Sequence, residues 1–349
     1  MLRHKLNYDR VSTRRTLQAG LTAAAFLLTC GSAHAGYVFQ DIIDSGDVTF
    51  NQALSINNAG VIAGYFGSGN PNATPPPFTL TPNKGYTVSG PSYTSFVNEN
   101  YPASSQTQVT GINNSGTTVG FYADSNGATT PNFFGFVDQS GTFTQVNDPN
   151  TAGTAPMTTQ LLGLNDLGMA VGFYVDTNGD MQPFLYNIGG STFTAVSPAG
   201  ATQAAATDIN NAGEISGFLT LASGPTEGFL DNAGSFTYFE VPGSTDTQFL
   251  GLNNSGEAVG FYMDSFGNLH GLIYNISAGT FTSVDDPNGV GTTTFNGVND
   301  QGQIVGFYQN GGGNTIGLLA TPTPEPASLS LIGAGLVALV YHRRRLQKA

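Results

Sequence analysis

One motif recurs six times along the chain, and no other feature restricts the fold as much. It opens with an apolar residue, Asn, Asn or Asp, any residue and Gly. It continues into a short β-branched strand that ends in Gly and usually two aromatics. The copies start Ile56-Asn57-Asn58-Ala59-Gly60, Ile112-Asn113-Asn114-Ser115-Gly116, Leu164-Asn165-Asp166-Leu167-Gly168, Ile209-Asn210-Asn211-Ala212-Gly213, Leu252-Asn253-Asn254-Ser255-Gly256 and Val298-Asn299-Asp300-Gln301-Gly302. Successive first Asn residues lie 56, 52, 45, 43 and 46 positions apart. Repeats of this length build propellers, solenoids or arrays. The extra length of the first unit is read as an insertion near Pro91 to Gln106.

Each unit carries four strand signals. In the fifth these are Thr247 to Leu252, Glu257 to Met263, Gly271 to Asn275 and Thr280 to Val284. Asn-Asn-x-Gly between apolar runs is hairpin chemistry, because Asn and Gly tolerate positive φ. No sustained 3.6-residue pattern occurs between Gly36 and Ala320, so the body reads as all-β. Four short strands per unit predict a six-bladed β-propeller over residues 36–320, with an open solenoid or two stacked sheets as the alternative. The fourth strand of units one to five is read from its aromatic: Tyr86, Phe143, Phe193, Phe236 and Phe281. Unit six lacks this strand. Tyr37 to Ile42 resembles it, with Phe39 matching Phe281 and Ile42 matching Val284, so the N-terminal strand is expected to close the ring against Thr315 to Ala320.

Charge excludes several functions. Of ten Lys and Arg, only Lys84 lies between Gly36 and Ala320, a stretch with 21 Asp and Glu and one His, His270. A body with this balance has no cationic groove for phosphates, so nucleic acid is excluded as a partner. It holds no Arg and no Cys, which removes Arg clamps, Cys nucleophiles and Cys zinc sites.

Both ends read as addresses. Residues 1–35 have a basic start, an apolar run from Leu17 to Leu28 and the small residues Ala33 and Ala35, with cleavage expected before Gly36. Thr13-Arg14-Arg15-Thr16-Leu17 resembles a twin-arginine signal, and the choice between that route and the general one stays open. At the other end a Pro-rich linker, 321–326, leads to an apolar run, 327–341, and a basic tail, 342–349. Fifteen helical residues span about 22 Å, short of the ~30 Å hydrocarbon core, so the expected transmembrane helix is a modest anchor. Arg343, Arg344 and Arg345 fix the C-terminus in the cytoplasm.

Pro324-Glu325-Pro326, the apolar run and the Arg cluster together resemble a PEP-CTERM sorting signal. The resemblance implies recognition by a membrane exosortase, processing of a transiently anchored tail, and a place at the cell surface or in an extracellular matrix with exopolysaccharide. The six repeats resemble the HAF-type extracellular repeat, which implies export and no activity.

Within the body, the six first-position Asn residues (Asn57, Asn113, Asn165, Asn210, Asn253, Asn299) are read chiefly as turn formers, with a glycan or ion at the axis as the functional alternative. Asp176-Thr177-Asn178-Gly179-Asp180 is the best of three acidic loops for calcium, through Asp176, Asn178 and Asp180; Asp124 to Gly127 and Asp264 to Asn268 are the others. Asp285-Asp286 is the one adjacent carboxylate pair, in poor geometry for glycoside hydrolysis. His270 has no evident catalytic partners. The expectation is therefore a non-enzymic surface or matrix protein, with a glycan- or calcium-binding module as the alternative and a carboxylate-based glycoside hydrolase or lyase behind it. No cofactor is expected beyond a possible calcium ion.

Overall fold

The structure, a computed structural model, describes residues 36–67, 83–124, 131–154, 156–222 and 224–323. Contacts divide the chain into two units, one of which is Gly36–Pro324. The other comprises Met1–Ala35 and Glu325–Ala349. It lies outside the described residues, as do the expected leader, its Ala33 and Ala35, the 327–341 span and the basic tail.

The first unit is all-β. It opens with β1 (Tyr37–Ile42). An antiparallel sheet follows from β2 (Asn51–Ile56), β3 (Ile62–Phe66), β4 (Lys84–Ser89) and β5 (Ser95–Asn98). The next sheet holds β6 (Gln106–Ile112), β7 (Thr118–Ala123), β8 (Phe133–Gln139) and β9 (Thr142–Val146). A third holds β10 (Thr159–Leu164), β11 (Met169–Val175), β12 (Met181–Asn187) and β13 (Thr192–Ala195). The fourth repeat supplies β14 (Ala201–Ile209), β15 (Glu214–Leu221), β16 (Thr226–Asn232) and β17 (Ser235–Phe239). The fifth supplies β18 (Asp246–Leu252), β19 (Glu257–Met263), β20 (Leu269–Asn275) and β21 (Thr280–Ser283). Last come β22 (Thr293–Val298), β23 (Ile304–Gln309) and β24 (Thr315–Pro322), which join β1 in the order β1-β24-β23-β22.

The expectation of six separate blades is corrected by the hydrogen bonding. The arrangement is propeller-like with four separate four-stranded blades, and β14 to β21 form one eight-stranded sheet. The cause is local. Thr226 of β16 and Asp246 of β18 make a parallel pair inside their strands. At three other junctions the corresponding bridges, Phe50–Thr315, Phe133–Thr158 and Leu269–Thr292, each have one residue just outside a named strand (Phe50, Thr158, Thr292) and leave the sheets separate.

Ring closure follows the sequence reading. β1 pairs antiparallel with β24 from Tyr37–Pro322 to Ile42–Gly317. β24 runs past the expected end at Ala320. Pro322 is accommodated at the strand end, where its missing N–H breaks no ladder. Thr323 then donates from its N–H and its Oγ1 to the Gly36 carbonyl, at 2.7 and 2.8 Å.

Tyr86 requires a second correction. It lies in β4, the third strand of its unit, where it is fully buried; Phe96 of β5 takes the fourth-strand place and packs edge-on against it at 4.8 Å. The stretch read as an insertion near Pro91 to Gln106 thus contains the fourth strand itself. The extra length sits between β3 and β4, partly outside the described residues.

Burial explains the composition of the strands. Inner strands are covered on both faces, so β7 is buried at every position and reads as a continuous apolar run. Outer strands such as β9, β13 and β21 are mostly exposed and turn one aromatic inward. The second strand of each unit needs a glycine in its middle. A Cβ at Gly172 would run into the Gln160 carbonyl, and one at Gly120 would meet the Gln108 carbonyl and the Phe136 ring.

Candidate functional site

The six Asn-led turns meet at one mouth of the ring. Asn57 shows the local chemistry. Its Oδ1 accepts the N–H groups of Ala59 and Val61, both at 3.0 Å, which closes its own turn. Its Nδ2 donates to the carbonyl of Asn113 in the next repeat at 3.0 Å. The same outward bond runs from Asn113 to Asn165 (3.2 Å), Asn165 to Asn210 (3.0 Å), Asn210 to Asn253 (3.4 Å), Asn253 to Asn299 (3.0 Å) and Asn299 back to Asn57 (3.1 Å). The six buried amides form a closed circuit. Their polar atoms serve the turn and the neighbouring repeat, which leaves them structural and not aimed at a ligand.

A second circuit lies outside the first. Each second-position residue accepts, at its Oδ1, the backbone N–H of the preceding repeat's counterpart, from Asn58 to Asn114 around to Asp300 and Asn58. Asp166 and Asp300 stand three repeats apart in this circle. Asn114 and Asn211 donate their Nδ2 groups to Asp166, both at 2.8 Å; Asn254 and Asn58 do the same for Asp300, at 3.1 and 2.7 Å. Partial burial opposes the charge on both Asp residues, yet the Asn N–H groups outweigh it and hold both carboxyls below the usual range.

Below the mouth, the first strand of every unit carries a β-bulge, at Leu54, Thr110, Leu162, Thr207, Leu250 and Asn296. Leucines and polar residues alternate around this layer. The polar three bond across to the next repeat: Thr110 to the Leu161 carbonyl (2.8 Å), Thr207 to that of Phe249 (2.9 Å) and Asn296 to that of Ala53 (3.0 Å). The residue after the bulge is Gly at 111, 163, 251 and 297, where neighbouring backbones crowd together. The two departures are Ser55 and Asp208, again three repeats apart. The Ser55 Oγ accepts the N–H of Ile112 at 3.3 Å, and Asp208 accepts those of Ile209 and Leu252, both at 2.9 Å. Desolvation pushes the Asp208 carboxyl up to about 7 against the pull of those two N–H groups.

Two small cavities share Ser55 and Asp208 in their walls. One, of about 60 Å³, lies under the Asn circuits. The other, of about 110 Å³, lies between the bulges. Sequence reading missed Asp208, although its signal is visible: it stands where four of six repeats have Gly.

Other expected residues are placed as follows. Asp176 turns its Oδ1 onto the N–H groups of Asn178 (2.8 Å) and Asp180 (3.1 Å), and takes Gln182 Nε2 on Oδ2 (3.2 Å). Asp180 accepts from Gln203 at 2.6 Å, and the Asn178 side chain lies in an exposed turn. Among the described residues no three His, Cys, Asp or Glu side chains converge on one metal position. Asp285 and Asp286 separate: Asp286 is buried and caps Asn288 N–H at 2.8 Å, whereas Asp285 bonds His270 Nδ1 at 2.8 Å. His270 also faces Asp264 at 3.4 Å and stacks on Tyr262. Burial works against a charged ring there, but the two carboxylates outweigh it and raise the His270 pKa. At another inter-repeat contact, burial and the Asp138 carboxylate push Glu99 up to about 7 despite a hydrogen bond from Thr87. Asp124 to Gly127 continues outside the described residues.

Residues 322–345 match the family model of the PEP-CTERM protein-sorting motif. The tail is a PEP-CTERM motif. It marks an exported protein that is sorted by an exosortase and transiently anchored in the membrane before processing. The PEP-CTERM match begins at Pro322, inside β24, and includes Pro324, Glu325, Pro326 and Arg343 to Arg345, which lie outside the described residues. No curated protein matches the chain. A protein described as TolB from Agrobacterium tumefaciens superposes with a TM-score of 0.50 at 11% identity, over 79% of this chain and 92% of that one. TolB from Acinetobacter baumannii gives 0.48 at 11%, over 74% and 63%, so the chain spans under two thirds of that relative. A Trypanosoma rangeli sialidase gives 0.46 at 10%, over 89% and 61%. At such identities the likeness concerns the fold.

Proposed function

We propose that this exported protein has a structural or interaction role at the cell surface or in an extracellular matrix associated with exopolysaccharide, and is not an enzyme. The observation that carries the reading is the PEP-CTERM tail joined directly to a ring-closed body. Two features of the body support it. The polar groups gathered at the mouth are spent on one another and on their own turns, which favours rigidity over turnover. The acidic surface suits a soluble exported body. Sugar stacking on a broad aromatic surface has less support, because Phe266 is the one large aromatic that is exposed among the described residues.

The test is fractionation of cells that make exopolysaccharide and of cells that do not. The protein is expected in the matrix fraction with a shortened tail in the first, and released to the medium in the second. Equal release from both would reject the matrix role. Replacement of Pro324-Glu325-Pro326 by alanines is expected to leave export intact and to retain the full-length tail in the membrane. Turnover of a polysaccharide that vanishes on single carboxylate substitution would reject the non-enzymic reading.

A further inference from the structure

Two repeats place a basic side chain at the same point of the blade. Lys84 precedes Gly85 in the first repeat, and His270 precedes Gly271 in the fifth; Gly85 pairs with Tyr65 as Gly271 pairs with Phe261. What faces the base differs between them. In the fifth repeat Asp285 accepts the Gly271 N–H on Oδ1 (3.1 Å) and holds His270 Nδ1 on Oδ2 (2.8 Å), so base and acid close on each other. In the first repeat Asn100 takes the place of that acid, and its Oδ1 accepts the Gly85 N–H at 3.0 Å. Where Asp285 offers a second acceptor, Asn100 carries an NH₂ donor.

Lys84 is thus left without its acid. The body around it holds 21 Asp and Glu, yet among the described residues Lys84 makes no ion pair. It lines a cavity of about 310 Å³ at the end of the ring away from the Asn turns, where the chain crosses from β5 to β6. That volume falls in the range of small-molecule sites. No Asp or Glu borders the cavity, and its walls carry the amides of Asn83, Asn98, Asn100 and Gln106. Asn98 Oδ1 accepts the Asn100 N–H at 2.8 Å. The Nδ2 groups of Asn98 and Asn100 and the side-chain amides of Asn83 and Gln106 have no partner among the described residues. At the Asn mouth, by contrast, the amides are spent on the ring itself. The wall behind is firm: Tyr101 stacks on Tyr122 at 3.7 Å, and the Ser104 N–H closes the turn onto the Tyr101 carbonyl at 3.2 Å.

Resting on the matrix reading above, we infer that this cavity binds a carboxylated sugar, a uronate unit of a polysaccharide. The Lys84 ammonium and the Asn100 Nδ2 meet its carboxylate, since a cation and an unspent donor side by side match an anionic acceptor. The remaining amides match hydroxyls, because both kinds of group donate and accept. Recognition here runs through charge and hydrogen bonds and needs no exposed aromatic. The acidic surface elsewhere repels a polyanion, which confines the contact to this point.

The fifth repeat supplies the decisive variant. Asn100→Asp copies Asp285: it keeps an acceptor for the Gly85 N–H and gives Lys84 an acid of its own. A galacturonate tetramer, a neutral glucose tetramer and a glutamate tetrapeptide are each titrated by calorimetry into the purified full chain, in calcium-free buffer at low salt. Wild type is expected to bind the galacturonate tetramer one to one, more weakly as sodium chloride is raised, and to ignore the other two. Lys84→Gln and Asn100→Asp are each expected to weaken binding by about tenfold or more, with thermal midpoints near that of wild type. Thr192→Glu adds the same unit of negative charge on exposed β13 of another blade, and is expected to hold affinity within about twofold. No binding by wild type, equal binding of the neutral tetramer, tighter binding of the peptide, full affinity in Lys84→Gln or Asn100→Asp, or a matching loss in Thr192→Glu would each overturn the inference. The matrix role is judged separately, by fractionation of cells: uronate binding in a protein that is released equally from both kinds of cell would reject that role alone, and matrix retention of a protein that binds no uronate would reject this site alone.

Discussion

Asp208 ties the pH dependence of stability to one residue. Its folded-state pKa, about 7, lies above the ordinary carboxyl value of 3.8. Between those values the folded chain holds a proton that the unfolded chain has lost. Stability contributed here is therefore fully present below about pH 4 and declines as pH rises toward 7. Wild type is expected to lose stability across this window by an amount on the order of a few kcal/mol. Asp208→Ser is expected to show a shallower slope, measured by urea melts at pH 4, 5.5 and 7. Glu99 and His270 slope the same way and remain in the variant, so the difference between the two proteins isolates Asp208. Equal slopes would mean that the carboxylate is solvated in the cavity.

At the scale of elements, the turn circuit and the second-strand glycines set the stability. Asn165→Ala removes bonds to Leu167, Met169 and Asn210, each worth about 0.5–1.5 kcal/mol, so a loss of roughly 2–4 kcal/mol is expected in thermal or urea melts. Asn165→Asp keeps the acceptor for Leu167 and Met169 and lacks only the donor to Asn210, so it is expected to recover part of that loss; near-complete recovery would show that the turn, not the circuit, matters. Gly172→Ala drives a methyl into the Gln160 carbonyl and is expected to cost about 1–3 kcal/mol or more, read in the same melts. Much of this was legible in the sequence, because Asn-x-x-Gly names both the turn and its register. The closing strand was legible too, through Phe39 and Ile42. Tyr86 was misassigned because extra residues between β3 and β4 displaced the aromatic count by one strand. Asp208 stands in the sequence where four of the six repeats have Gly, but no pattern reports that this position follows a bulge and faces the axis. The separation of blades hinged on whether Thr226 and Asp246 fell inside their strands, which no pattern reports.

For the whole molecule, closure depends on β1 at one place and on Asn299–Asn57 at another. Deleting Tyr37 to Ile42 leaves β24 with an unpaired edge. The expected result is a broadened, less cooperative melt and self-association by light scattering; an unchanged sharp melt would show that the axial circuits suffice alone.

The Thr323–Gly36 clasp has a mechanical consequence. The chain leaves the body directly from β24, whose end lies beside the turn at Gly302. Tension applied at Thr323 along the strand direction enters β24, which is held by six residue pairs to β1 on one side and six to β23 on the other. Both neighbours run antiparallel to it, so the load falls on the two ladders in shear, together, instead of peeling them bond by bond. A body tugged by its tail should therefore yield at high force and all at once. Pulling on residue 323 against Asn187, at the end of β12 in another blade, is expected to give a single rupture event, and a staircase of small steps would refute it.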